Sequence, residues 1–218
     1  MSGCSGGELT CDEGQCVMME QRCDEVPDCR DQSDETNCKK VHLKENYRKS
    51  TPPLKVQVKY NKERKVEPAL VEVNITLIDI GQITEASNEL SINFKLGLEW
   101  NETRATYHNL KRNKHENTMS SKETSEIWIP SIIFQNDIHS DEVLLGSTIY
   151  VKRKGPFTRN EIDSLDEIEY FNGTENPISM NQRYSRTFKC IFDLAYFPFD
   201  TQVNYLLRFF PIFARFVL

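Results

Sequence analysis

Six of the seven cysteines fall within the first 38 residues, at Cys4, Cys11, Cys16, Cys23, Cys29 and Cys38. A segment this short cannot bury enough apolar surface to hold itself together, so it needs covalent or metal cross-links. Cysteines at this density imply disulfides, and disulfides imply an oxidising, extracellular setting. Spacing alone leaves the pairing open among the many connectivities that six cysteines allow. Between the last of them runs Cys23-Asp24-Glu25-Val26-Pro27-Asp28-Cys29-Arg30-Asp31-Gln32-Ser33-Asp34-Glu35. Asp24, Asp28, Asp34 and Glu35 offer oxygen only, with no histidine beside them, and the sulfur is committed to disulfides. That donor set suits a hard cation, Ca²⁺, and argues against zinc.

The cysteine spacing and the run Asp31-Gln32-Ser33-Asp34-Glu35 resemble the LDL-receptor class A repeat over residues 4–38. The resemblance implies the pairings Cys4–Cys16, Cys11–Cys29 and Cys23–Cys38. It also implies Ca²⁺ held by the carboxylates of Asp24, Asp28, Asp34 and Glu35 and by the backbone carbonyls of Gln21 and Val26. Two departures stand out. Gln21 sits where such repeats often carry an aromatic that grips a partner's lysine, and Glu25 and Val26 sit where they often have Gly. Backbone carbonyls do not depend on side-chain type, so the departures bear on partner binding more than on the metal.

The remaining cysteine, Cys190, is far from the others, so the chain of 218 residues is at least bipartite. The division reads as a module at residues 1–38, a polar linker at 39–67 and a larger domain at 68–218. The linker segment is charged, contains Pro52-Pro53, holds no apolar period and leaves room for a short helix near its start. The net charge of −6 is mild, and no basic block or aromatic-basic interleaving appears, which argues against nucleic acid. No apolar stretch precedes Cys4 and none reaches the roughly 18–20 residues of a membrane span. An extracellular module without a leader is expected to lack its true N-terminus.

From Ala69 the pattern changes. Ala69, Val71, Val73, Ile75 and Leu77 alternate with other residues, and Leu90, Ile92, Phe94, Leu96, Leu98 and Trp100 alternate strictly. Period two over such lengths predicts half-buried strands. Shorter strands are expected at 126–133, 148–152, 167–171 and 186–193, and a polar loop at 109–124. Many short strands with turn-rich spacers argue for a β-sandwich. Sequons at Asn74, Asn101 and Asn172 are candidate glycan sites, and Asn74 falls on the outward face of its strand.

Cys190-Ile-Phe-Asp-Leu-Ala-Tyr-Phe-Pro-Phe-Asp-Thr-Gln is the second strong signal. Pro198 between two aromatics forces a turn between strands, and the Phe-Pro bond is a cis candidate. The motif resembles the Cys-loop of pentameric ligand-gated ion channels. Trp100-x-Glu102-x-Arg104 is similar to that family's Trp-x-Asp-x-Arg, and Ile127-Trp128-Ile129-Pro130 to its Trp-x-Pro element. The resemblance covers about residues 68–203 and implies an extracellular immunoglobulin-like β-sandwich. In that family five subunits form a ring, agonist binds between neighbours, and the Cys-loop presses on the membrane domain. Cys190, Phe197, Pro198, Phe199 and Asp200 would make the coupling tip here.

Asn204 stands where the family closes its loop with a second cysteine, and Ser131 follows Pro130 where Asp is usual. Lys95 and Gln135 occupy positions where many members place pocket aromatics. They are candidates for the edge of a polar pocket, with no aromatic box for a quaternary amine. The chain ends before the family's later strands and membrane helices, so the sandwich is expected to be incomplete and the chain to be a truncated piece of a subunit.

The expected fold is a small disulfide-rich calcium-binding module plus a mainly-β domain, an incomplete immunoglobulin-like sandwich. The leading functional reading is a subunit or fragment of a Cys-loop channel on the outer side of the plasma membrane. Its partners would be homologous subunits, a small-molecule agonist and the membrane. Two alternatives are a secreted binding protein on the same sandwich and an adhesion or scavenging module acting through the calcium repeat. An enzyme is not expected. His42, His108, His115 and His139 show no ligand spacing, the run His139-Ser140-Asp141 is local, and no glycine-rich phosphate loop appears.

Overall fold

The computed structural model describes residues 4–5, 7–58, 64–68, 70–84, 86–134, 144–159, 168–189 and 214–216. In chain order the strands are β1 (Glu8–Thr10), β2 (Cys16–Met18), β3 (Val41–Leu43), β4 (Leu54–Val58), β5 (Arg64–Pro68), β6 (Val71–Thr84) and β7 (Glu89–Trp100). They continue with β8 (Ala105–His108), β9 (Leu144–Val151), β10 (Phe157–Thr158), β11 (Tyr170–Asn172), β12 (Ile178–Lys189) and β13 (Ala214–Phe216). A short helix, α1 (Ser121–Glu126), and 3-10 turns at Met19–Gln21, Ser33–Glu35 and Lys114–Asn117 complete the described elements. The molecule is mainly β, a disulfide-rich module plus a β-sandwich domain. The chain divides into two compact units.

The first unit takes Met1–Thr51, Asn101–Ile127 and Tyr150–Ile178. Its N-terminal module is built on the β1–β2 hairpin, in register from Glu8↔Met18 to Thr10↔Cys16. Leu9, Cys11, Val17 and Cys29 form its buried cluster, with Met19 packed against it. The chain is tied by Cys4–Cys16, Cys11–Cys29 and Cys23–Cys38, whose Cα separations of 5.7, 5.9 and 5.6 Å are ordinary for disulfides. The acidic segment turns sharply: Cys23, Glu25 and Gln32 have φ of 58, 71 and 59°. Glu25 thus holds a left-handed backbone without being glycine, a conformation that costs an L-residue about 1–2 kcal/mol.

The rest of this unit is a four-stranded sheet in the order β10-β11-β8-β3. Val41, Tyr107 and Phe171 lie opposite one another on neighbouring strands. All three are buried, and they form one cross-strand row through the sheet. The segment 39–67 therefore differs from the expected linker with a short helix. It contributes β3 to this sheet, and β4 and β5 pair with each other further on. Three residues are too few to show a period, so β3 leaves no trace in the sequence pattern.

The second unit takes Pro52–Trp100, Trp128–Ile149 and Ser179–Leu218. Its main sheet has the order β13-β6-β7-β12-β9, with β6 antiparallel to β7 and β13 parallel to β6. The alternation of β7 appears as burial: Ile92, Phe94, Leu96, Leu98 and Trp100 point inward, and Lys95 is exposed. On β12, Met180, Tyr184, Arg186 and Phe188 are buried. Phe94 lies 5.5 Å from Tyr184 and 5.8 Å from Phe134 between ring centroids, and Phe134 lies 6.1 Å from Phe188. β6 keeps its alternation only as far as Val73 and Ile75. The register shifts between Leu77 and Asp79 and again between Ile80 and Ile83, and Leu77, Ile80 and Ile83 are exposed. From Thr76 to Ile83 residues on both faces of the strand are exposed, so the alternation in the sequence has no buried face to mark there.

The shorter expected strands fare unevenly. Residues 148–152 overlap the end of β9, 167–171 overlap β11, and 186–189 lie in β12, with 190–193 outside the described residues. No strand forms at 126–133: α1 ends at Glu126 and an irregular segment follows, in which Pro130 has no N–H to offer a ladder. The polar stretch 109–124 is not all loop, because Ser120 and Glu123 form a capping box that starts α1.

Candidate functional site

In the module, backbone N–H groups organise the acidic side chains. Asp24 N donates to Glu35 Oε1 at 2.9 Å, and Val26 N donates to Asp24 Oδ1 at 3.0 Å. Asp28 N donates to Asp34 Oδ2 at 2.7 Å, while Gln21 Nε2 donates to Asp28 Oδ1 at 2.9 Å. Asp34 is fully buried, and its Oδ1 has no hydrogen-bond partner. A buried carboxylate oxygen left without a donor is a large cost unless something outside the hydrogen-bond network satisfies it. The oxygen-only donor set and this orphaned atom fit a calcium ion. The four carboxylates are not drawn together as a closed cage. The groups whose ligand atoms lie within 4.8 Å of one another are Cys4, Glu8 and Cys16, and Cys11, Cys29 and Asp31. Both consist largely of disulfide sulfur, which is not a metal ligand. Asp31 instead accepts from Ser33 Oγ at 2.6 Å and from Glu13 N at 2.7 Å, and the bonds to Ser33 hold its pKa below the ordinary carboxylate value.

The Trp-x-Glu-x-Arg motif splits into two structural jobs. In the second unit Trp100 is buried and meets Trp128 edge to face at 6.0 Å. In the first unit Glu102 is fully buried and receives Arg104 through two bonds of 2.7 Å, from Nε to Oε1 and from Nη2 to Oε2. Tyr47 Oη donates to Glu102 Oε2 at 3.0 Å, and the Arg104 guanidinium lies 4.4 Å from the Tyr47 ring centre. The hydrogen bonds to Glu102 raise the Arg104 pKa. A bidentate, ring-stacked guanidinium is a rigid strut. Gly173 is the only residue type its position admits, because a Cβ there would lie 2.1 Å from the Glu102 carbonyl oxygen.

Lys95 is exposed on β7 opposite Thr76 of β6, and Gly97, two residues on, sits opposite Asn74. Gln135 lies outside the described residues, as do Cys190, Phe197, Pro198, Phe199 and Asp200. Of the sequons, Asn74 is exposed. Asn172 is exposed and accepts through Oδ1 from Thr174 N and Oγ1, both at 2.9 Å. Asn101 is half-buried, and its Nδ2 donates to the carbonyls of Gly173 and Thr174.

Several residues at these sites carry no signal that spacing alone reveals. Tyr47 comes from the segment read as a linker. His42 and His108, scattered in sequence, stack with ring centres 3.5 Å apart because β3 pairs with β8. Glu123 caps α1 through Ser120 and turns its other oxygen to Lys40 N at 2.7 Å and Val41 N at 3.1 Å. Burial pushes the Glu123 pKa up, but the bonds from Ser120, Lys40 and Val41 outweigh it and hold the carboxyl below its ordinary value. The pattern Ser120-x-x-Glu123 is the one trace of this site in the sequence.

Comparison with known proteins gives two family matches. Residues 38–206 match the neurotransmitter-gated ion-channel ligand binding domain, and residues 2–38 match the low-density lipoprotein receptor domain class A. The first match begins at residue 38, so the segment carrying β3, β4 and β5 falls within it. The chain is also similar to the serotonin-gated chloride channel mod-1 of Caenorhabditis elegans, 26% identical over 137 residues. That alignment covers 63% of this chain and 24% of the relative, so the chain spans about a quarter of that protein. Among the described residues no helix is long and apolar enough to cross a membrane.

Proposed function

Because this chain belongs to the neurotransmitter-gated ion-channel ligand binding domain family, we propose that it is the extracellular agonist-recognition region of a channel subunit, preceded by a calcium-binding repeat. The match over residues 38–206 carries the reading. In this reading the repeat is residues 1–38 and the ligand-binding domain starts directly after it. The subunit assembles with homologous subunits, and a small molecule binds against the sheet face that bears Lys95. Residues Phe197, Pro198, Phe199 and Asp200 pass the signal to membrane helices of the whole subunit. Serotonin and chloride, named for the similar worm channel, are the first agonist and ion to try. Currents evoked by a small-molecule transmitter in cells expressing the subunit test the reading. Silence across a panel of transmitters, with the subunit demonstrably at the cell surface, would count against it.

Calcium in the repeat is held by Asp24, Asp28, Asp34 and Glu35 with the carbonyls of Gln21 and Val26. The support is the donor chemistry and the orphaned Asp34 Oδ1. The ion supplies a cross-link among segments that have almost no apolar core. Glycans are proposed at Asn74 and Asn172, whose side chains are exposed. Asn101 is the poorest of the three acceptors, because its amide is engaged by two carbonyls. Peptide mapping of glycan occupancy on the secreted chain reads each site, and occupancy highest at Asn101 would refute that ranking.

A further inference from the structure

We propose that Lys111 couples the calcium repeat to the loop of residues 109–117, so that a cation bound in the repeat orders that loop. The inference rests on the calcium reading above. Lys111 is only 9% exposed. Its backbone is locked by the fully buried Asn117: Lys111 N donates to Asn117 Oδ1 at 2.7 Å, and Asn117 Nδ2 donates to the Lys111 carbonyl at 2.8 Å. From this anchor the side chain crosses to the repeat, where Nζ donates to the carbonyls of Met19 at 3.1 Å and Glu20 at 2.5 Å. Both carbonyls belong to the 3-10 turn Met19–Gln21.

The same turn is tied to the acidic segment. Gln21 Oε1 accepts from Met18 N at 2.8 Å, and Gln21 Nε2 donates to Asp28 Oδ1 at 2.9 Å. Asp28 N in turn donates to Asp34 at 2.7 Å. An unbroken hydrogen-bonded series therefore runs from Asn117 through Lys111, the turn and Gln21 to Asp28 and Asp34. Three of those residues, Gln21, Asp28 and Asp34, are the repeat's calcium candidates.

The chain leaving the repeat also reaches this loop, where Lys40 Nζ donates to the carbonyls of Glu116 and Thr118. A cavity of about 590 Å³ opens where the repeat meets the sheet, lined by Met18, Met19, Lys111, Glu116, Arg153 and Phe157 among others. Lys111, in that lining, bridges the Met19–Gln21 turn and the loop. Burial lowers the Lys111 pKa, while Glu116, Asp24 and Glu20 pull it back up. An ammonium so placed needs its acceptors held still, because a buried donor without them is costly. A cation near Asp24 also weakens one attraction on Lys111. The direct contacts of Lys111 are the two carbonyls of the turn.

Hydrogen exchange of the whole oxidised chain, in calcium and in EDTA, tests the coupling. With calcium at a hundred times its Kd, exchange in residues 23–35 should slow by up to about a hundredfold. Exchange in residues 109–117 should slow by about five- to tenfold, a typical coupling between sites. In Lys111→Met the repeat should keep its response and the loop should lose it, and Lys111→Arg should retain part of the loop's response. If Lys111→Met does not fold, Lys111→Gln, whose neutral and shorter side chain keeps a polar head, should uncouple the loop likewise. A repeat that responds to calcium beside a loop that does not, or that exchanges faster, overturns the coupling. So does a loop response that survives Lys111→Met. If neither segment responds, the calcium reading itself is wrong and the coupling falls with it.

Discussion

In the repeat, the buried cluster is Leu9, Cys11, Val17 and Cys29, and two of those four are disulfide cysteines. In the sheet of β6, β7, β12 and β9, Phe94, Leu96, Trp100, Tyr184 and Phe188 are buried, and no described disulfide ties the strands. One region is held by cross-links around side chains that are also its chemistry. The other is held by apolar burial on one face, which leaves outward residues such as Lys95 and Asn74 exposed. The difference teaches where substitutions hurt. In the repeat a substitution at the acidic segment should disturb the fold and the proposed calcium site together; in the sheet, outward substitutions should spare the fold.

The comparison breaks most visibly at Phe94. Phe94→Ala should destabilise the sheet by about 3–5 kcal/mol, the usual cost of emptying a buried aromatic site, with the repeat's disulfides unaffected. Chemical denaturation of the whole chain, followed by tryptophan fluorescence, reads it; a loss under about 1 kcal/mol would mean that the aromatic cluster is not the sheet's core. Replacing Cys11 and Cys29 by serine should cost the repeat about 2–5 kcal/mol while the sheet's own transition stays where it was. Proteolysis within residues 4–38 with an unchanged fluorescence transition is the expected pattern.

A third test sits at Glu123, which joins the ends of elements rather than a core. Its folded pKa is depressed below its unfolded value. The stability it contributes is therefore fully present above the ordinary carboxylate range and fades as pH falls through the lower folded value. Glu123→Gln should cost about 1–2 kcal/mol at neutral pH, from a weakened cap and weaker bonds to Lys40 and Val41. It should also flatten the acid limb of the stability curve. An acid limb identical to the parent's would show that Glu123 titrates without consequence. The smallest effect is expected at Glu25, whose φ of 71° suits glycine. Glu25→Gly should stabilise the calcium-loaded repeat by at most about 1 kcal/mol, because relief of the left-handed strain is partly offset by a freer unfolded chain.

What could be read ahead of the structure follows the same division. The strict alternation from Leu90 to Trp100 became β7, because one uninterrupted strand keeps one face inward over its whole length. The neighbouring alternation did not carry through β6, because beyond Ile75 both faces of the strand are exposed, and Leu77, Ile78, Ile80 and Ile83 all meet solvent. Cysteine count and carboxylate chemistry identified the repeat, since those signals are local. Val41 in β3, Tyr47 on Glu102, and Lys111 on the Met19–Gln21 turn were not legible. Each takes its role from a partner 55 or more residues away, and neither β3 nor the turn is long enough to show a period. Glu123 lay in between: its cap to Ser120 is local and readable, its bonds to Lys40 and Val41 are not.

The central claim is that calcium and the cysteines make one folding unit of the repeat, and oxidative refolding tests it most directly. The reduced chain is refolded in calcium or in EDTA, and its disulfides are mapped by mass spectrometry. The account predicts Cys4–Cys16, Cys11–Cys29 and Cys23–Cys38 as the dominant set in calcium, scrambled pairings in EDTA, and scrambling in both for Asp34→Ala. The same native pairing in EDTA as in calcium would contradict it.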